Sequence, residues 1–286
     1  MGQAYGKFIL GGEHSVVVKG RALGFPVKSL HLKVRESQDF DGLKINGERH
    51  PLSEFRKILE LRKIIGATPN LRGIEIESTI PIGGGLGSSA ALCTALARIH
   101  MPHSSPEDLA RTALQGERIF HGKPSGVDPF TIALEQPIVY RASDQKWRPL
   151  NVEKFHNSDL CFVLKDTGLR HRTAEVIQAV STVRTETPLI WEDLIDTLAQ
   201  NAELMVKAFE ESPARDLGRL MNDSHFRLLQ LGVSCEPMDL MIDDMRARGA
   251  LGAKLTGAGR GGFVLGLFRR EDAAKLPKDG LLFPEF

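Results

Sequence analysis

Hydrophobic and polar positions change period several times along the chain, and each change marks an element. Residues 8 to 18, "FILGGEHSVVV", are apolar and β-branched at both ends with Gly11 and Gly12 between. That pattern predicts two strands joined by a tight turn. Residues 74 to 80, "IEIESTI", alternate with period two, as a half-buried strand does. The strand runs into "PIGGGLGSS", where Gly83, Gly84, Gly85 and Gly87 crowd together ahead of two serines. Beyond them Leu92, Leu96 and Ile99 recur at helical spacing among alanines. The unit is strand, glycine-rich loop, helix.

Ser105-Pro106-Glu107-Asp108 reads as a helix start, with a Ser cap, Pro at the first helical position and acids in the first turn. This helix is expected to reach about Phe120. Its inward stripe is Ala110, Ala113 and Leu114, and the next member of that stripe is Glu117, a carboxylate on an apolar face. The chain turns polar from Asn151 to Asp159, and a new apolar run begins at Leu160. Two domains are therefore expected, residues 1–156 and 157–286. The second carries helical patterns over 191–211, 214–231 and 237–248, then a short strand, the cluster "GAGRGG" and a strand "FVLGLF". No internal repeat or low-complexity stretch occurs.

Composition narrows the partners. The chain of 286 residues is long enough for a sizeable core. Lysine plus arginine number 37 against 36 acids, so no net field holds nucleic acid or an anionic membrane. Small molecules are the expected partners. Cys93, Cys161 and Cys235 lie far apart and form no CxxC pair, which argues against a zinc site or a disulfide framework and for a reduced, cytoplasmic setting. No apolar run has membrane-spanning length, and the N-terminus lacks the regions of a signal peptide, so the protein is expected to begin as written. "MGQAYG" fails as a myristoylation signal because Gly6 stands where Ser or Thr is required.

A helix N-terminus leaves amide N–H groups unpaired and carries a partial positive charge. A glycine-rich approach lets those amides close around an anion, above all phosphate. The alternative is a turn packed close to a neighbouring strand. The loop is not a Walker A motif, because Gly87 is followed by Ser88-Ser89 with no Lys. Gly257, Gly259 and Gly262 spell GxGxxG, but the cluster runs into a strand with no helix after it, against a dinucleotide fold.

Three segments in order, "KFILGGEHSVVVKG", "PIGGGLGSSAA" and "KLTGAGRGG", resemble the three signature motifs of the GHMP kinases, the superfamily of galactokinase, homoserine kinase, mevalonate kinase and phosphomevalonate kinase. "GEHSVV", "GERIFHGKPSGVD" and "LGVS" followed by Met238-Asp239-Leu240 are most similar to its mevalonate kinases. The resemblance implies the two-domain α+β fold of that superfamily, with a ribosomal protein S5 domain 2-like N-terminal domain, a ferredoxin-like C-terminal domain and the active site between them. It implies ATP- and Mg²⁺-dependent phosphorylation of the 5-hydroxyl of (R)-mevalonate. A homodimer is left open.

Phosphoryl transfer needs a phosphate cradle, a metal and an in-line nucleophile. By resemblance Gly83, Gly84, Gly85, Leu86, Gly87, Ser88 and Ser89 wrap the triphosphate, and Ser89 and Glu117 share Mg²⁺. The other readings are an ion pair of Glu117 with Arg118 or Arg111 and a plain N-cap for either serine. Asp128 matches the family's catalytic aspartate, the proton acceptor. Lys7 matches its lysine, where a cation lowers the pKa of the attacking hydroxyl; a solvated charge flanking a strand is the alternative. Glu13, His14 and Thr173 match positions lining the acceptor site. Gly257, Ala258 and Gly259 would close the cleft from the second domain.

Arg260 departs from the family's third motif, GAGGGG. At positive φ an Arg costs about 1 kcal/mol or more, unless its guanidinium reaches a phosphate. "AYGK" replaces the usual "APGK". Two rivals remain: a related kinase acting on phosphomevalonate, a sugar or homoserine, and a non-catalytic relative that only binds nucleotide.

Overall fold

Two sheets form, and the polar stretch around residue 155 falls between them. The computed structural model describes residues 1–67, 72–170, 173–211 and 213–286, without the side chains at 52, 173, 174, 177 and 213–215. In the first sheet β1 (Gly2–Gly11) runs antiparallel to the long β2 (Ala22–Ser37), where Leu30, Leu32 and Val34 alternate inward. A short hairpin of β3 (Gly42–Ile45) and β4 (Glu48–His50) leads to α1 (Leu52–Ile64) and then β5 (Gly73–Ser78). The glycine-rich loop follows β5 and opens α2 (Ser88–His100); α3 (Pro106–His121) and α4 (Val127–Leu134) come next. A hairpin of β6 (Ile138–Arg141) and β7 (Lys146–Pro149) closes the sheet in the order β4-β3-β5-β2-β6-β7, with β1 on the other edge of β2. A single turn, α5 (Glu153–His156), leads out of it.

The second sheet is built from β8 (Leu160–Asp166), β9 (Gly252–Leu255), β10 (Phe263–Arg269) and β11 (Leu281–Leu282), in the order β11-β8-β10-β9 with every pair antiparallel. Between β8 and β9 lie α6 (Thr173–Glu186), α7 (Pro188–Glu211), α8 (Pro213–Gln230) and α9 (Glu236–Ala247), and α10 (Arg270–Ala273) follows β10. The expected helices are present, α7 and α8 each starting on a proline, as suits a residue without an N–H to satisfy.

Aromatic packing joins the sheets. Phe8 of β1 stacks on Phe25 of β2 at 5.0 Å, Phe162 of β8 meets Phe8 edge-on at 5.4 Å, and Phe155 stacks on Phe209 of α7 at 4.7 Å. Each buried aromatic ring contributes a few kcal/mol. In the first sheet small residues bring the helices close. Ala90, Ala91, Ala95 and Ala97 of α2 are fully buried, and a Cβ on Gly2 would lie 1.9 Å from the Ala95 carbonyl oxygen. Glycine at that point of β1 lets α2 lie directly on the strand that carries Lys7.

The hairpin expected over residues 8 to 18 does not form. Phe8 to Gly11 end β1, Gly12 and His14 take positive φ (90° and 62°), and Ser15–Val17 is a short 3₁₀ turn. The ladder position that "SVVV" would fill is taken by Leu23 to Val27 of β2, which pairs along the same end of β1. Only Val16 of the three valines 16 to 18 is buried, and Val17 and Val18 face outward. β-Branched composition reports a half-buried surface; it does not choose the strand's partner.

Candidate active site

In the loop after β5 the Gly84 N–H donates to Pro81 O at 3.3 Å, and the chain then enters α2 through glycine. Gly87 is the N-cap of α2 at φ 80° and supplies no side chain to the first turn, so Ser88 and Ser89 are the first two helical residues and not the cap. The amides of that turn remain available to an anion. Glycine is required at 87 on two grounds: the left-handed conformation, and a Cβ that would stand 2.9 Å from Lys7 Cγ. The second glycine cluster forms the facing wall. A Cβ on Gly262 would meet the Gly84 carbonyl oxygen at 2.4 Å, and one on Gly257 would meet that of Gly85 at 3.1 Å. Gly84 and Gly85 of the loop and Gly257 and Gly262 of the second cluster, from the two halves of the chain, therefore pack backbone against backbone.

Lys7 lies beneath the loop. Its backbone N–H donates to the Leu86 carbonyl at 3.0 Å, and its ammonium donates to Gly85 O at 3.0 Å. The same Nζ stands 2.9 Å from Asp128 Oδ2, with the lysine side chain 2% exposed and the aspartate 27%. Lys7 is thus a buried, fixed cation and not a solvated charge beside a strand. Asp128 is the second residue of α4, where the helix's positive end suits a carboxylate.

Glu117 points inward from α3 as its stripe requires. Its Oε1 accepts from Ser89 Oγ at 2.8 Å, and neither Arg111 nor Arg118 pairs with it. Burial, reinforced by the charge of Asp128, pushes its pKa up to about 8, against the opposing pull of Ser89 and Lys7. With Lys7 bound to Asp128, the buried Glu117 carboxyl has no ion-pair contact with that lysine and, with the Ser89 hydroxyl, offers hard oxygen donors. That donor set fits Mg²⁺, which takes one or two side chains together with phosphates and waters. Among the described residues no three His, Cys, Asp or Glu side chains form a metal cage, and Mg²⁺ does not call for one.

Side chains also join the two halves. The Glu13 carboxylate forms a fully buried ion pair with Lys254 of β9, whose ammonium also donates to Leu255 O at 2.7 Å. Burial lowers the Lys254 pKa, with Glu13 opposing. Among the described residues Glu13 Oε2 is buried without a partner. His14 Nε2 lies 2.9 Å from Ala258 O, and burial keeps its pKa below the ordinary value. Thr256 Oγ1 bonds both the N–H and the C=O of Ile9 at 2.9 Å. Thr173 heads α6, but its side chain lies outside the described residues. Arg260 does sit at positive φ, 55°; its N–H donates to Val233 O at 2.7 Å and its Nε to Gly232 O at 2.9 Å. The guanidinium is thereby tied to the loop before α9.

Sequence reasoning missed three residues here. Lys254 pairs with Glu13, and the signal in the sequence is a lone lysine between the apolar Ala253 and Leu255. Thr256 follows it. His121, read from the sequence only as part of the segment "GERIFHGKPSGVD", places Nε2 at 2.9 Å from Ser89 Oγ.

Known proteins resemble this chain over most of its length. Residues 54–136 match the GHMP kinases N terminal domain and residues 205–278 the GHMP kinases C terminal family. The chain is 33% identical over 297 residues to the mevalonate kinase of Aeropyrum pernix, covering 95% of this chain and 89% of that protein. This chain belongs to the mevalonate kinase family of GHMP kinases. To the mevalonate kinase of Archaeoglobus fulgidus it is 31% identical over 283 residues, covering 94% and 92%. The crystal structure of L. major mevalonate kinase in complex with R-mevalonate superposes with a TM-score of 0.78 at 25% identity, covering 99% of this chain and 94% of that one. As a member of the family it has the two-domain α+β GHMP kinase fold and is an ATP-dependent kinase. Among the described residues no helix is long and apolar enough to cross a membrane.

Proposed function

We propose that this kinase transfers the γ-phosphoryl group of ATP to the 5-hydroxyl of (R)-mevalonate, giving mevalonate 5-phosphate and ADP. The observation that carries the reading is the buried Lys7 paired at 2.9 Å with the half-buried Asp128 beneath the glycine loop. The acceptor follows from its relatives, the L. major protein having been solved with R-mevalonate.

In this mechanism the amides of Gly83 to Ser89 hold the triphosphate, with Gly257, Ala258 and Gly259 closing the cleft. Asp128 accepts the proton as the acceptor oxygen bonds to the γ-phosphorus and the bond to the β-phosphate oxygen breaks. Lys7 stabilises the charge developing on that oxygen, in a position already fixed before substrate arrives. Ser89 and Glu117 would hold Mg²⁺, which neutralises phosphate charge when bound. Glu13, His14 and Thr173 line the acceptor end, where a neutral His14 can hydrogen-bond a hydroxyl or carboxylate. We divide the chain at residues 1–156 and 157–286, because the first sheet ends before and the second begins after that point. Three free cysteines and a near-neutral charge favour a cytoplasmic enzyme with small-molecule partners.

An acceptor screen at fixed ATP and Mg²⁺ tests the reading. ADP release is expected with (R)-mevalonate; release with phosphomevalonate, galactose or homoserine but not with mevalonate would overturn the choice of acceptor.

A further inference from the structure

A serine hydroxyl has one proton and two lone pairs. Ser89 Oγ donates to Glu117 Oε1 at 2.8 Å and also lies 2.9 Å from His121 Nε2, which accepts or donates according to its tautomer, and its single proton can go to only one of the two. Glu117 and His121 are one turn apart on α3, so one helix face brings both groups to the start of α2. The imidazole nitrogen stands 3.9 Å from the carboxylate, too far for a hydrogen bond between them. What joins them is the serine.

We propose that His121 is a positioning residue for the metal site: its Nε2 accepts the hydrogen bond of the Ser89 hydroxyl, which turns an oxygen lone pair of Ser89 toward the ion and leaves Glu117 free to bind it. The inference rests on the reading that Ser89 and Glu117 hold Mg²⁺. With the ion in place, a hydroxyl still donating to Glu117 would draw on the carboxylate density that the ion uses. His121 is the other acceptor that the described residues bring to Ser89 Oγ. It serves as an acceptor in the tautomer that carries its proton on Nδ1. Outer groups of this kind orient metal ligands, and losing one typically weakens metal affinity 10- to 100-fold. His121 ends α3 and is partly exposed, so replacing it removes little packing.

The test uses the full chain with ADP and Mn²⁺ as a paramagnetic probe, titrating free Mn²⁺ by electron paramagnetic resonance. His121→Ala is expected to weaken Mn²⁺ binding to the enzyme–ADP complex about 10- to 100-fold, with circular dichroism unchanged. In turnover it should raise the Mg²⁺ concentration needed for half-maximal rate and leave KM for the acceptor unaltered. His121→Gln, whose amide oxygen reaches the place of Nε2, should restore most of the affinity. Unchanged Mn²⁺ affinity in His121→Ala, or no recovery in His121→Gln, overturns the inference. Ser89→Ala is measured alongside. If it weakens Mn²⁺ binding while His121→Ala does not, the role of His121 falls alone; if Ser89→Ala has no effect, the metal reading falls and His121 with it.

Discussion

Burying Glu117 beside Asp128 opposes folding and serves the site. Its carboxyl is pushed up to about 8 by burial and by the neighbouring aspartate. Below the ordinary carboxyl value both folded and unfolded chains hold the proton. As pH rises from there towards about 8 the unfolded chain loses it first, so the stability this group contributes is lost over that window. Glu117→Gln should therefore unfold at higher urea concentration than the native protein at pH 8, with the difference closing near pH 4.5, while kinase activity falls. Equal midpoints at both pH values would contradict the account. Glu117 could be suspected from sequence, because a carboxylate in an apolar stripe contradicts its neighbours. His121 could not, because its role depends on α2 and α3 meeting. Arg260 shows the same boundary: the glycine it replaces raises positive φ as one possibility, but its hydrogen bonds to Val233 and Gly232 come from a loop far off in sequence.

At the scale of elements, the junction of loop and α2 must be left-handed and thin. Gly87→Ala strains φ 80° and drives a Cβ towards Lys7 Cγ. Gly47, at φ 85° with nothing within 4 Å, provides the control. Both alanine variants should lose about 1–2 kcal/mol of stability, but only Gly87→Ala should also lower kcat, since only there does the side chain meet Lys7. Equal kcat in the two variants would sever the loop from the catalytic pair. Helix starts were legible because caps and prolines act within a few residues, and Ser105 indeed accepts from the Asp108 N–H at 3.1 Å. The false hairpin at residues 8 to 18 had the opposite cause, since strand pairing is decided at long range and β2 claimed the edge of β1.

Across the whole molecule, the Glu13–Lys254 pair ties the first half to the second, in company with Thr256 on Ile9. Breaking one partner of a buried pair leaves an uncompensated charge and costs about 3–5 kcal/mol, whereas replacing both can be nearly neutral. Lys254→Met should lose stability of that order in urea unfolding, and the double variant Glu13→Gln/Lys254→Met should recover most of it; additive losses would show that the two groups act separately. The change of pattern near residue 155 was visible in composition. The shared aromatic core of Phe8, Phe25, Phe155, Phe162 and Phe209 was not, because single phenylalanines carry no mark of their partners. Joining the halves packs Gly257 and Gly262 against the loop whose Gly85 carbonyl accepts from Lys7, and the proposed phosphoryl transfer depends on the Lys7–Asp128 pair. The most direct measurement is mevalonate-dependent ADP release by Asp128→Asn, with binding of MgATP followed by calorimetry. Turnover is predicted to fall about 10²- to 10⁴-fold with MgATP affinity retained; near-native turnover would remove Asp128 from the reaction and contradict the account.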